Sequence, residues 1–388
     1  MKKTKRLFCL VISVLLMLNM SVFAEKATQV DTEVSTKLIS AKSGILMEQS
    51  TGEVLYEQNP DERLQIASVT KVMTMLLIME AIDQGKIKLT DMVTVSDHAA
   101  SMGGSQVFLE AGEQMSVDDM LKAIAVASGN DAAVAMAEFI SGSEAAFVEK
   151  MNKRAEELGC INTHFINCNG LDETADHYSS AKDVAIISKE LLNHSKIFDY
   201  TTIWMDSLRN GTFGLSNTNK LIRFYKGANG LKTGSTSTAK YCLSASAKRD
   251  DMQLIAVVIC APSSQDRFSS ASALLDFGFA NYEVAKDEDI NVSVPYVRVV
   301  GGTTEQILPT VCGSGFILKK GNRDKLQQHF ELADSVSAPV EQGQKLGEVI
   351  YTIDGNEVAR RDVCAAEAVE RISILQMFVR NLEVWLTL

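Results

Sequence analysis

The sequence predicts a mixed α/β (α+β) domain, then a small β-sandwich domain, then a terminal amphipathic helix. Three observations lead there. Apolar strand-like runs stand near both ends of the first part of the chain, at residues 44–47 with 54–56 and at 240–248 with 252–260, and helical runs fill the interval. From about Asp287 the texture changes to short β-rich runs punctuated by Gly and Asp, at 290–300, 316–319, 328–332, 346–353 and 358–363. Residues 367–388 return to helical periodicity. A chain of 388 residues is long enough for two cores.

The N-terminal elements set the compartment. Lys2, Lys3, Lys5 and Arg6 precede an apolar run over residues 7–20, and Val22-Phe23-Ala24 supplies small residues for cleavage. Residues 1–24 therefore read as a signal peptide. The run is too short for a comfortable membrane span and a polar segment follows, so export is the expectation.

A hairpin comes next, turning at Ser50-Thr51-Gly52. Residues 68–83 carry Val69, Val72, Met73, Met75, Leu76, Leu77, Ile78 and Met79 with almost no polar face, which marks a buried helix ending before Gly85. Helices at 117–127 and 132–140 flank Ser128-Gly129-Asn130, and further helices fall at 181–192 and 269–279. On the last helix Ser373, Gln376, Arg380, Glu383 and Thr387 make a narrow polar stripe. Ile372, Leu375, Phe378, Val379, Leu382, Trp385 and Leu386 fill the other side, so the helix is amphipathic and suits a membrane surface, not a span. The expected boundaries are 1–24 for the signal, 25–286 for the first domain, 287–365 for the β-rich domain and 366–388 for the anchoring helix.

Composition narrows the partners. The formal charge of −11 becomes −15 once the four basic residues of the signal are removed, which argues against nucleic acid. Six cysteines remain in the mature chain, sparse enough to read as small buried hydrophobes; the short loop makes Cys160 with Cys168 the pair to join if any does. There is no CxxC and no HExxH, so no metal and no cofactor is expected.

Three short motifs carry chemistry. Ser68-Val69-Thr70-Lys71 puts a hydroxyl and an amine on one helix face about one turn apart. Such a lysine activates a serine only if its pKa falls toward neutrality, through burial or a nearby cation. Alone the pattern also fits an N-cap serine beside a solvated lysine. Ser128-Gly129-Asn130 adds a hydroxyl and an amide on a tight connection, and Lys232-Thr233-Gly234-Ser235-Thr236 lies just before the predicted strand at 240–248. In this order and context the three match the SxxK, SDN-like and KTG set of penicillin-binding proteins and class A β-lactamases.

From about Ala41 onward the chain resembles the low-molecular-mass D-Ala-D-Ala carboxypeptidases of the peptidase S11 type. The likeness extends to Leu64-Gln65-Ile66-Ala67, Tyr178-Ser179-Ser180-Ala181, Ala338-Pro339-Val340 and Gly343-Gln344-Lys345-Leu346-Gly347. Met102-Gly103-Gly104-Ser105 and Asn217-Thr218-Asn219-Lys220-Leu221 most resemble its sporulation-associated branch. The resemblance implies a serine β-lactamase/DD-peptidase-like catalytic fold, peptidoglycan pentapeptide as substrate, β-lactams as covalent inhibitors and a site on the outer face of the cytoplasmic membrane, in the cell wall compartment. It implies Ser68 as nucleophile, Lys71 as proton acceptor and Ser128 as the route of a proton to the leaving nitrogen. Asn130 would hold the substrate amide, and Lys232 would lower the Lys71 pKa by repulsion. The backbone amides of Ser68 and Ser235, the latter following Gly234, would form the oxyanion hole. Thr233, Thr236 and Arg267 would receive the terminal carboxylate. Ser235 and Asn169 depart from family members that carry histidine or tyrosine, and histidine, at those places.

Rival readings meet specific difficulties. A β-lactamase of class A needs a further glutamate in an E-x-x-L-N pattern, which Glu156-Glu157-Leu158-Gly159 and Glu190-Leu191-Leu192-Asn193 do not match. A non-catalytic peptidoglycan or penicillin sensor would lack a catalytic group or carry a transmembrane signalling segment. A transpeptidase would need an acceptor amine to outcompete water.

Overall fold

The computed structural model describes residues 38–171, 174–286, 294–313 and 315–386, with side chains up to Arg380 in the last helix. The signal segment lies outside these residues. The first domain is built on a five-stranded antiparallel sheet of β1 (Ser43–Glu48), β2 (Val54–Gln58), β3 (Ala228–Thr236), β4 (Lys240–Arg249) and β5 (Met252–Ala261). Their order is β2-β1-β5-β4-β3, so the first hairpin and three strands far along the chain join in one sheet and leave β3 on an edge. Alternation divides the sheet between two cores. Ile45, Met47, Ile255, Val257 and Ile259 face the helical lobe. Leu46, Leu254, Ala256 and Val258 pack instead on Ala271, Leu274, Leu275 and Phe279 of the helix Ser264–Asn281.

At the centre of the lobe, α1 (Lys71–Asp83) is buried from Lys71 to Met79 except for the half-buried Leu77, as a sequence apolar but for Lys71 and Thr74 in that span requires. Around it stand α2 (Val117–Ala125), α3 (Asn130–Ser141), α4 (Glu144–Glu157) and α5 (Ala181–Leu192). Arg154 ties three of these together, pairing with Glu80 at 2.7 Å and Glu190 at 2.7 Å.

The β-rich part departs from the expected boundary, because Tyr282–Ala285 already pairs with Phe316–Lys319. A four-stranded sheet of Pro309–Val311, Asn356–Ala365, Lys345–Ile353 and Leu326–Leu332 is faced by this pair and by a three-stranded sheet. Phe316, Leu318, Val349, Tyr351 and Val363 fill one interface; Val297, Val299, Val340, Leu346 and Val369 fill the other. A disulfide joins Cys312 to Cys364 here, where the Cα atoms are 6.2 Å apart. The bond thus lies away from Cys160 and Cys168, the pair that the short loop favoured if any joined. Both of those thiols are free and turned to different partners, Cys160 to the Asp183 carbonyl and Cys168 to the Glu144 carboxylate.

The last helix, α6 (Ile374–Leu386), starts later than its periodicity suggests. Residues before it are held extended, since Val369 and Val340 exchange backbone hydrogen bonds of 2.8 Å. Ser373 and Gln376 then form a reciprocal capping box at 3.3 and 2.9 Å that opens the helix. Ile374 is 83 % exposed and Phe378 63 %, whereas Arg380 on the polar stripe reaches back to the Gly302 carbonyl at 3.4 Å and to Glu305 at 3.6 Å. Among the described residues no helix is long and apolar enough to cross a membrane.

Candidate active site

Ser68 sits in a 3₁₀ turn, Ala67–Thr70, that runs directly into α1. Ala67 takes φ 47°, an uncommon value for a residue with a Cβ, so the turn needs support from outside. Thr70 Oγ1 donates to the Ala67 carbonyl at 2.8 Å and meets His177 Nε2 at 2.7 Å. The Ile166 N–H donates to His177 Nδ1 at 3.2 Å, which leaves Nε2 as the protonated nitrogen, donating to Thr70. Gly170 packs so closely that a Cβ there would lie 2.0 Å from the Ala67 oxygen. Gly234 makes a similar approach from the sheet, where a Cβ would stand 2.6 Å from the Ile66 oxygen.

Lys71 is fully buried and spends its amine on three acceptors: Ser68 Oγ at 3.0 Å, Asn130 Oδ1 at 2.6 Å and the Asn169 carbonyl at 2.7 Å. Burial pushes its pKa down to about 7, against an opposing pull from Cys168 and Asp131. A lysine poised near neutrality beside a serine hydroxyl is the arrangement a general base requires. Asn130 opens α3 and its Nδ2 donates to the Gly103 carbonyl at 2.7 Å, which links Lys71 to the 103–109 loop.

The Lys232-Thr233-Gly234 motif lies inside edge strand β3, a correction of its expected place just before a strand. Its Lys, Thr, Gly and Ser composition hides the strand, which exists because β4 pairs with it along its length. Lys232 is fully buried, and its Nζ donates to the Thr233 carbonyl at 2.9 Å. Its pKa is held well below the ordinary lysine range, by burial first, then by the charges of Lys71 and Arg267. Burial is thus the first cause at both lysines, and the repulsion between them is mutual.

The remaining predicted residues take varied places. Thr233 donates its hydroxyl to Thr218 at 2.7 Å, Thr236 accepts from the Ala239 amide at 3.0 Å in the turn after β3, and Ser235 is exposed. Ser128 is buried with φ 65°, and no hydrogen bond joins its side chain to Lys71 or Lys232 among the described residues. Arg267 is buried behind the strand pair, where Nη1 donates to the Gly234 carbonyl at 3.2 Å and the Cys242 carbonyl at 3.3 Å. It caps both carbonyls of one cross-strand pair.

Sequence reasoning passed over His177, the Asn169 carbonyl, Thr218 and Asp131. Asp131 was visible as the residue after Ser128-Gly129-Asn130, but its work, accepting from the Val107 and Leu109 amides at 3.0 and 3.1 Å, depends on a distant loop. The glutamates weighed for a β-lactamase are spent elsewhere: Glu190 on Arg154 and Asn193, Glu157 on Arg154 and Lys153.

Comparison with known proteins agrees with this geometry. Residues 29–263 match the family described as D-alanyl-D-alanine carboxypeptidase, peptidase S11, and residues 284–371 match the penicillin-binding protein 5 C-terminal domain. The chain is 49 % identical over 350 residues to D-alanyl-D-alanine carboxypeptidase DacF of Bacillus subtilis, covering 89 % of this chain and 90 % of that one. It is 36 % identical to DacA of Haemophilus influenzae, covering 88 % of each. Penicillin-binding protein 5 from Haemophilus influenzae superimposes with a TM-score of 0.78 at 34 % identity, covering 86 % of this chain and 98 % of that one. Penicillin-binding protein D2 of Listeria monocytogenes, solved in an ampicillin-bound form, superimposes at 0.57 and 30 % identity over 62 % of this chain and 98 % of that one. With a buried, near-neutral lysine on a serine hydroxyl and relatives matched over most of its length, the chain belongs to the peptidase S11 family and is a D-alanyl-D-alanine carboxypeptidase.

Proposed function

We propose that the enzyme removes the terminal D-alanine from peptidoglycan pentapeptide stems through a Ser68 acyl-enzyme, and so limits cross-linking in the wall. The observation that carries the assignment is Lys71, fully buried, 3.0 Å from Ser68 Oγ and near neutral pKa. Ser68 Oγ attacks the carbonyl between the two D-alanines and its proton passes to the Lys71 amine. The oxyanion is met by the Ser68 and Ser235 amides, brought together by the contact at Gly234. When the C–N bond breaks, Ser128 hands a proton to the departing nitrogen, and water then hydrolyses the ester. Asn130 holds the substrate amide as well as the Lys71 amine, and Lys232 fixes the proton network. The terminal carboxylate is received by Thr233 and Thr236, with Arg267 lending charge from behind the strand.

Penicillin offers a strained amide and a carboxylate in place of D-Ala-D-Ala, so it should acylate the same serine. Export to the outer face of the cytoplasmic membrane is supported by the charged, apolar and small-residue order of residues 1–24. Docking of α6 in the membrane interface is supported by its exposed apolar side and by Arg380, which turns the polar stripe toward the β-rich domain.

Mass spectrometry after incubation with penicillin should place the adduct on Ser68, and a peptide ending in D-Ala-D-Ala should release free D-alanine. Truncation after Ile372 should move active enzyme from the membrane to the soluble fraction. An adduct on Ser128, or undiminished labelling in Lys71→Ala, would overturn the assignment of roles.

A further inference from the structure

Phe108 is 68 % exposed and has φ 55°, a conformation that costs strain for a bulky aromatic residue. Its neighbours Val107 and Leu109 are buried. The backbone around it is held from both sides by charged groups. The Asp131 carboxylate, in a residue only 1 % exposed, accepts from the Val107 amide at 3.0 Å and the Leu109 amide at 3.1 Å. Arg209 donates to the Val107 and Phe108 carbonyls, each at 3.0 Å, and is itself fixed by Glu113 at 2.8 Å. A buried carboxylate and an ion-paired guanidinium are thus used to keep a phenyl ring in water. Packing stability does not favour that outcome, since burial of apolar area is the stabilising direction.

The ring's position suggests its use. Asp131 follows Asn130, so the loop carrying Phe108 is bolted to the wall that holds Lys71. Phe213 meets the Phe108 ring edge-on, with centroids 6.2 Å apart. Phe213 belongs to the strand Phe213–Ser216, which leads into Asn217 and Thr218, and Thr218 accepts from Thr233 on the opposite wall. The aromatic pair therefore joins the loop tied to Asp131, next to Asn130, with the segment that leads to Thr218 and Thr233.

We propose that Phe108, backed by Phe213, reads the stem residue that precedes the D-Ala-D-Ala terminus by packing on the methylenes of its long side chain. This rests on the placing of Ser68 and Asn130 proposed above. A rigid, exposed ring is suited to the extended methylene stem of a long side chain, and the hydrogen bonds from Asp131 and Arg209 keep it from collapsing inward when no substrate is present.

The test compares two peptides ending in D-Ala-D-Ala that differ only in the preceding residue, alanine in one and a long-chain diamino acid in the other. In Phe108→Ala the ratio of their kcat/KM values should fall about tenfold against the long side chain, carried by KM. Phe108→Tyr should restore the ratio. An unchanged ratio in Phe108→Ala, whatever happens to the absolute rates, overturns the proposal. Failure of wild-type Ser68 to take penicillin would instead strike the underlying assignment, which separates the two.

Discussion

A methyl group on Gly234 would stand 2.9 Å from the Ser68 amide nitrogen, so the edge strand and the nucleophile turn touch through a position where only hydrogen fits. Both oxyanion donors of the proposed mechanism are backbone amides at this contact.

Gly234→Ala should therefore open the gap by several tenths of an ångström and slow acylation by about 100-fold, the scale of losing one oxyanion donor. The strand should survive, because β4 still pairs with it. Time courses of fluorescent-penicillin labelling, beside a thermal melt, read both. Acylation within about twofold of wild type would mean the turn and strand can part at no cost to the reaction.

Lys71 must be unprotonated to accept the Ser68 proton, and burial sets its pKa at about 7. Acylation should accordingly rise with pH through about 7 and level off above it. Lys71→Arg should abolish it, because a guanidinium stays charged. In Lys232→Met the rate should fall and the midpoint of the pH profile should rise only modestly, since burial is the largest cause of the lowered Lys71 pKa and the repulsion between the two lysines adds to it. A midpoint that climbed toward the ordinary lysine value would return the lowering to the Lys232 charge.

His177 supports the turn without touching Ser68. His177→Leu removes the donor to Thr70 and should cost roughly 1–3 kcal/mol of stability, with acylation slowed about tenfold. His177→Gln should recover most of the acylation rate, because its amide N–H can donate to Thr70 Oγ1. Rate constants for penicillin labelling in the two variants, read alongside urea unfolding, separate positioning from folding. Equal rates in both variants would refute a positioning role.

Much of the chain was legible because its signals are local. The buried α1 followed from an apolar sequence with no polar face, and α5 matched its predicted span of 181–192. The hairpin at β1 and β2 and the strands β4 and β5 followed from apolar runs and turn residues. Elements with ambiguous composition were harder. The strand holding Lys232-Thr233-Gly234 reads as a polar turn, and α4 was passed over because charge dominates its sequence. The start of α6 was in fact written in Ser373-Ile374-Leu375-Gln376, but the apolar periodicity before it masked the capping box.

By itself, the sequence determined the order of the three motifs, the reaction class they serve, the two-part architecture and the amphipathic character of the last helix. The motifs, the architecture and the amphipathic pattern follow from residue type and spacing, which act over a few positions, and the reaction class follows from the family resemblance that the motifs carry. Only the tertiary structure decided that Lys71 is desolvated to near neutrality, that Gly234 is pressed against Ser68, that Arg267 caps a strand pair and that Cys312 and Cys364 are joined while Cys160 and Cys168 stay free. Each depends on which distant segment closes over a residue. Burial, close approach and charge repulsion are set by that closure, and spacing along the chain does not encode them.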